Sequence, residues 1–144
     1  MKGYLLDTNV ISELRRARPE PKVTRFIAGQ PEVMLFLSDV TFAEIRFGIE
    51  KDHDPVRRGV LADWLDRELR PYFASRVLAI DEDTLLRWRI MIEVGRRAGH
   101  TFGQPDLFIA SLAAQHDLVV VSRDTKHFVA ANVPVFDPWT SESS

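Results

Sequence analysis

The chain has 144 residues, 45% of them hydrophobic and 28% charged, with a formal net charge of −2 at pH 7. That is enough for one domain with a buried core, and too little positive charge for a protein coated in basic surface for non-specific nucleic-acid binding. With no cysteine, disulfides and cysteine-held zinc are excluded. No apolar stretch approaches the ~18 residues that span a bilayer. The start, Met1 to Asp7, is interrupted too soon for a signal peptide, so the expected compartment is the cytoplasm.

Tyr4-Leu5-Leu6 rises straight into Asp7. A buried parallel strand, here Gly3–Leu6, ends that way at the carboxyl edge of its sheet, and open α/β sheets bind ligands at that edge. Asn9 fits the N-cap of a first helix running from Val10 to Leu14, which leaves Asp7 without a capping duty. Arg15, Arg16 and Arg18 close that helix, favourably placed at its C-terminal end. Pro19 and Pro21 break the chain. Lys22–Ala28 is a short amphipathic helix with Val23, Phe26 and Ile27 at helical spacing.

A second strand is predicted over Val33–Leu37, continuous and apolar. Ser38 or Asp39 caps a helix from Val40 to about Lys51. Phe42, Ile45 and Ile49 share one face of it, Glu44 and Gly48 another. Glu44 lies about one and a half turns beyond a strand end, near the same edge as Asp7. Glycine in a helix costs ~1 kcal/mol against alanine, so Gly48 suggests that a neighbouring backbone approaches closely.

After a turn at Asp52–Pro55, a long helix is expected over Val56–Phe73. Val60, Leu61, Trp64, Leu65 and Leu69 point inward, and Pro71 bends its end. Strand three is Val77–Ile80. Asp81 caps a helix from Glu82 to Ala98 with Leu85, Trp88 and Ile92 as its apolar stripe, stopped by Gly99. Asp81, Glu82 and Asp83 are helix-start chemistry rather than ligands. A loop leads to Pro105, suited to a helix's first position, with Asp106 in the first turn and Phe108–Ala114 following. Leu118–Ser122 is a fourth strand, and Asp124 just beyond it repeats the theme of Asp7. A short strand, Val133–Phe136, precedes Asp137-Pro138-Trp139. The chain is one domain, residues 1–139, with 140–144 a disordered tail. The alternation of strands and helices gives an α/β domain with a parallel sheet.

At Leu6-Asp7-Thr8-Asn9, Ala43-Glu44-Ile45-Arg46-Phe47-Gly48, Asp106-Leu107-Phe108-Ile109-Ala110 and Ser122-Arg123-Asp124, with the closing Val135-Phe136-Asp137-Pro138-Trp139, the sequence resembles the PIN-domain ribonucleases. It is most similar to the VapC and FitB toxins of bacterial type II toxin–antitoxin pairs. Each motif is weak alone; five in order with family-like spacing, over nearly the whole chain, are specific. The resemblance implies a three-layer α/β/α PIN-like fold with a mainly parallel central sheet. It implies that Asp7, Glu44, Asp106 and Asp124 coordinate Mg²⁺ or Mn²⁺, that the chain cuts RNA endonucleolytically, that a cognate VapB-like antitoxin inhibits it, and that it forms a homodimer. Gln104-Pro105 depart from the small residues that many relatives carry before the third acid, which puts the position of Asp106 in question.

Four carboxylates converging on one sheet edge raise one another's pKa. A hard divalent cation, which prefers oxygen ligands, removes that penalty. Asp7 and Asp106 are expected as direct ligands, Glu44 as ligand or water-orienting base, and Asp124 as an outer ligand. Thr8, Asn9 and Ser122 would orient the acids by hydrogen bonds. Arg46, Arg15 or Arg123 would meet substrate phosphates. His53, His100, His116 and His127 lack a paired helical spacing and do not suggest zinc or a histidine mechanism. Two rivals stand beside this reading. One is a phosphatase with Asp7 as nucleophile, which needs a second acid where Asn9 stands. The other is a non-catalytic antitoxin-binding or regulatory domain.

Overall fold

The structure is a computed structural model that describes residues 2–140; of the expected tail at 140–144, Thr140 lies in a turn and 141–144 fall outside the described residues. Five short parallel strands form one sheet in the order β3-β2-β1-β4-β5. They are β1 (Tyr4–Leu6), β2 (Leu35–Ser38), β3 (Val77–Leu78), β4 (Val119–Val121) and β5 (Val135–Phe136). The chain leaves β1 for β2 on one side and later returns to β4 on the other, so the winding reverses between β1 and β4. Such a switch point opens a crevice beyond the strand ends. Leu6 pairs with Val121, which brings the two residues that follow, Asp7 and Ser122, out side by side.

The pleat sorts side chains between two cores. Leu6, Leu35, Leu37 and Val121 face Val10, Val23, Phe42, Leu65, Leu69 and Phe73. These come from α1 (Thr8–Leu14), α2 (Pro21–Ala28), α3 (Asp39–Glu50) and a helix that begins as α4 (Pro55–Trp64), passes through a wide π turn at Leu65–Leu69, and reaches Phe73 just after α5 (Arg70–Tyr72). Leu5 and Val120 face Ile109, Leu112 and Phe128 on the opposite side. There α6 (Glu82–Arg97), α7 (Gln104–His116) and α8 (Thr125–Ala130) complete the third layer. The expected three-layer α/β/α architecture is the one found, with all pairings parallel.

Several local expectations are corrected. The cap of α1 is Asp7, whose carboxylate accepts from the Thr8 N–H, and not Asn9. Val33 and Met34 lie in a 3-10 turn, Glu32–Met34, and Val33 is 73% exposed; only from Leu35 does the chain pair with β1. Val60 points to solvent. Gly48 has open space where a Cβ would project, so no backbone approaches it. Pro71 acts earlier than expected: the π turn before it widens the helix where the proline ring would otherwise strike the preceding turn. On α6 the inward side carries Thr84 and Gly95, while Leu85 is 45% exposed. A Cβ at Gly95 would collide with the Phe102 ring. Helix α8, with Phe128 fully buried, is not anticipated from sequence because six residues with one buried side chain make no periodic pattern.

Candidate metal centre

Every predicted acid arrives at the crevice on its own element. Asp7 follows β1, Glu44 sits on α3, Asp106 lies in the first turn of α7 and Asp124 is the N-cap of α8. Pro105 does not displace Asp106. It occupies the first turn of α7, where a missing N–H costs nothing, and Asp106 turns toward the other acids. Oxygens of Asp7, Asp106 and Asp124 all lie within 4.8 Å of one another. Glu44 stands outside this group and lines the same cavity. Asp124 belongs to the tight group and Glu44 flanks it.

Asp7 is held rigidly. One carboxylate oxygen accepts from the Thr8 N–H at 2.8 Å, the other from the Ser122 hydroxyl at 2.7 Å. The same Ser122 oxygen accepts from the Asp124 N–H at 3.0 Å and from the Asn9 amide at 3.1 Å. A single fully buried hydroxyl therefore ties two strand-end acids together. Asn9 also reaches Asp7 at 3.5 Å and accepts from the Arg123 N–H at 3.4 Å. Thr8 donates its hydroxyl to Glu44 Oε1 at 2.7 Å, with the Thr41 hydroxyl 3.2 Å away. The three residues expected to orient the acids all contact them.

The electrostatics are those of an uncompensated negative centre. Asp7, 4% exposed, has its pKa pushed up from 3.8 to about 6, chiefly by burial. Its hydrogen bonds to Ser122 and Thr8 oppose the rise, while the charges of Asp106 and Glu44 add to it. Asp106 is raised by burial and by Asp124 and Glu44, against the pull of His127. His127 Nε2 lies 3.8 Å from Asp106, a neighbour that sequence spacing did not reveal. Among the described residues no lysine or arginine forms an ion pair with any of the four acids.

These residues fit a hard divalent cation. Two ligands on opposite sides of one Mg²⁺ are at most ~4 Å apart, so the observed spacing needs only a small closure around an ion. The donors are all oxygen, the charge is in excess, and Ser122 supplies the outer hydrogen bond that such ligands require.

The surrounding cavity is about 500 Å³. Glu13, Arg16, Arg123 and Trp139 complete its wall. Of the three arginines considered for phosphate, Arg123 lines it, Arg15 stacks on Trp64 at 4.9 Å over a neighbouring groove, and Arg46 is exposed outside the lining. Glu13 was not singled out from sequence, and Trp139 entered there only as part of the closing motif, Arg16 only as a helix end. The available signal was an acid within the apolar turn Val10-Ile11-Ser12-Glu13-Leu14, where an ordinary solvated glutamate is out of place.

Comparison with known proteins agrees with this geometry. A family profile described as PIN domain matches residues 4–133. The chain is 37% identical to "VapC ribonuclease Y4jK" of Sinorhizobium fredii, over 94% of this chain and 96% of that one. It is 36% identical to "Toxin FitB" of Neisseria gonorrhoeae, over 94% and 97%. The crystal structure of FitAcB from Neisseria gonorrhoeae superposes with a TM-score of 0.91 at 36% identity, covering 96% of this chain and 99% of that one.

Proposed function

This chain belongs to the PIN-domain family, and on that premise we propose that it is a metal-dependent endoribonuclease, the toxin of a toxin–antitoxin pair. The observation that carries the proposal is the trio Asp7, Asp106 and Asp124: three carboxylates converging within 4.8 Å, with Asp7 buried and held from two sides. A binding domain that only receives basic side chains has no need to fix a protonation-prone acid so firmly. The phosphatase alternative is disfavoured because Asn9 stands where a leaving-group acid is needed, and its amide is engaged with Ser122 and Asp7.

Asp7, Asp106 and Asp124 would hold Mg²⁺ or Mn²⁺, which when bound neutralises the carboxylates and acidifies water beside the phosphate. The chain's own groups supply the rest. Ser122 keeps Asp7 and Asp124 in fixed relation. Thr8 holds one Glu44 oxygen, leaving the other to orient the attacking water and take its proton. The open crevice admits an extended strand of RNA. The same negative cavity suits an arginine from an antitoxin, which would compete with substrate and cation together; the solved FitAB and VapBC-1 structures of relatives support a partner of that kind.

The test is cleavage of single-stranded RNA by the purified chain with Mn²⁺, Mg²⁺ or EDTA. Cutting is expected only with a divalent ion and is lost in Asp106→Asn. Equal cutting in EDTA, or a wild-type rate in Asp106→Asn, would overturn the reading.

A further inference from the structure

One wall of the acidic cavity carries a cation that no acid among the described residues neutralises. Arg123 follows Ser122 directly and lines the cavity with all four acids, yet it forms no ion pair among the described residues. Its guanidinium instead lies over the Trp139 ring, 5.2 Å from the centroid. Its backbone is fixed by Asn9, which also contacts Asp7. A guanidinium held over an indole face by cation–π attraction keeps N–H groups available for a further partner.

Trp139 is itself held. Its ring N–H donates to Glu13 Oε1 at 3.2 Å, and its backbone N–H to Asp137 at 2.8 Å. Glu13 is 5% exposed and is occupied on both oxygens: the second accepts from the Glu20 N–H at 3.1 Å. Those bonds keep its carboxyl below the usual range, the Glu20 bond contributing most. Glu13 is thus a charged bracket. It binds Arg16 at 3.3 Å, and so shapes the cavity wall without joining the metal-holding acids.

We infer that Arg123 is a preset phosphate clamp for single-stranded RNA, and that Trp139 and Glu13 are positioning residues acting through it. The inference rests on the nuclease reading for its ligand. An acidic centre repels a polyanion; a cation fixed at its wall seats a neighbouring phosphate while the acids stay available. Phosphate contacts of this kind set position rather than sequence preference. Among the described residues the chain thus leaves this arginine without a carboxylate partner and holds it over the Trp139 ring.

The experiment measures binding of a fluorescein-labelled single-stranded RNA by anisotropy with Mn²⁺ over a series of salt concentrations. The full-length Asp106→Asn protein is used so that binding is read apart from cleavage. Adding Arg123→Gln should weaken binding roughly tenfold, as losing one charge-assisted bond does. It should also flatten the plot of log affinity against log salt by about 0.7, the loss of one single-strand phosphate contact. Arg123→Lys should keep the salt slope while losing affinity, because the charge survives without the stacked plane. Trp139→Phe, which keeps a ring but cannot reach Glu13, should fall between. Unchanged affinity and slope in Arg123→Gln overturns the clamp, as does weaker binding at an unchanged slope, which would mark a structural role. Should the wild-type chain leave RNA uncut while these shifts appear, the nuclease reading fails and the clamp stands.

Discussion

Two buried charges, Asp7 and Arg76, sit at opposite ends of the same kind of physical problem. Arg76, 9% exposed, is fully answered. Its guanidinium donates to the Glu32 and Leu35 carbonyls at 2.5 and 2.7 Å, to the Glu32 carboxylate at 3.1 Å, and to the Tyr72 carbonyl. The rings of Tyr72 and Phe73 flank it at 5.1 and 5.0 Å. Asp7 is equally hidden and equally well hydrogen-bonded, but its neighbours are more acids. A buried charge met by opposite dipoles and opposite charge is architecture; one crowded by like charge needs something that the chain does not contain. Arg76 fastens the turn before β2 to the approach to β3, and Asp7 sits where three carboxylates converge without a lysine or arginine among the described residues to answer them.

The largest effect should come from Asp7→Asn, which sharpens that contrast. Cleavage of RNA should fall by about 10²- to 10⁴-fold, while helix α1 keeps its cap because asparagine caps as well as aspartate. Stability should move the other way. The folded pKa of Asp7, about 6, lies above its ordinary 3.8. Its stabilising contribution is therefore complete below pH 4 and is lost as pH rises through 6. In EDTA the wild type should be about 1 to 2 kcal/mol less stable at pH 7 than at pH 4 to 5 from this group. Asp7→Asn should lack that slope and melt higher at pH 7. Thermal melts across pH read it, and a parallel fall in both proteins would break the comparison. Below pH 4, Asp52 and Asp81, each held down to about 2 by hydrogen bonds first to Arg57 and to the Thr84 backbone, lose their contribution in both.

Arg76→Met should show the opposite signature: about 3 kcal/mol lost from stability, because carbonyl acceptors are left without their donor, with cleavage per folded molecule unchanged. Urea denaturation and active-site-normalised rates separate the two. Ser122→Ala removes the hydroxyl shared by Asp7 and Asp124, and should weaken Mn²⁺ binding by roughly 10- to 100-fold, read by calorimetry. The smallest effect is expected at Thr8→Val, which frees Glu44 without touching the trio: a rate loss of about tenfold or less with Mn²⁺ affinity intact. Loss of Mn²⁺ affinity there would place Glu44 among the direct ligands.

Much of this was readable in the string of residues. Apolar runs ending in acids at Asp7 and Asp124, strong stops at Pro19 and Gly99, and the alternation of strands with helices are local properties, so they survive without coordinates. What failed was local structure decided by distant partners. Val33 looks like strand, but the chain turns there because Arg76, forty residues on, ties down the Glu32 and Leu35 carbonyls. Leu85 looks inward, yet α6 is rotated so that Thr84 meets Gln115 and Gly95 meets Phe102.

Sequence by itself determined which side chains could do chemistry and on which edge of the sheet they emerge, because strand ends and helix starts are written in patterns a few residues long. Tertiary structure alone decided how the acids divide. Asp7, Asp106 and Asp124 close into one group and Glu44 stands beside it, because the register of β1 on β4 and the shared Ser122 hydroxyl fix distances between residues more than a hundred positions apart. It also decided that Arg123 rests on Trp139 rather than on an acid. No short-range pattern encodes such a choice, since it depends on where two chain segments meet after the core has formed.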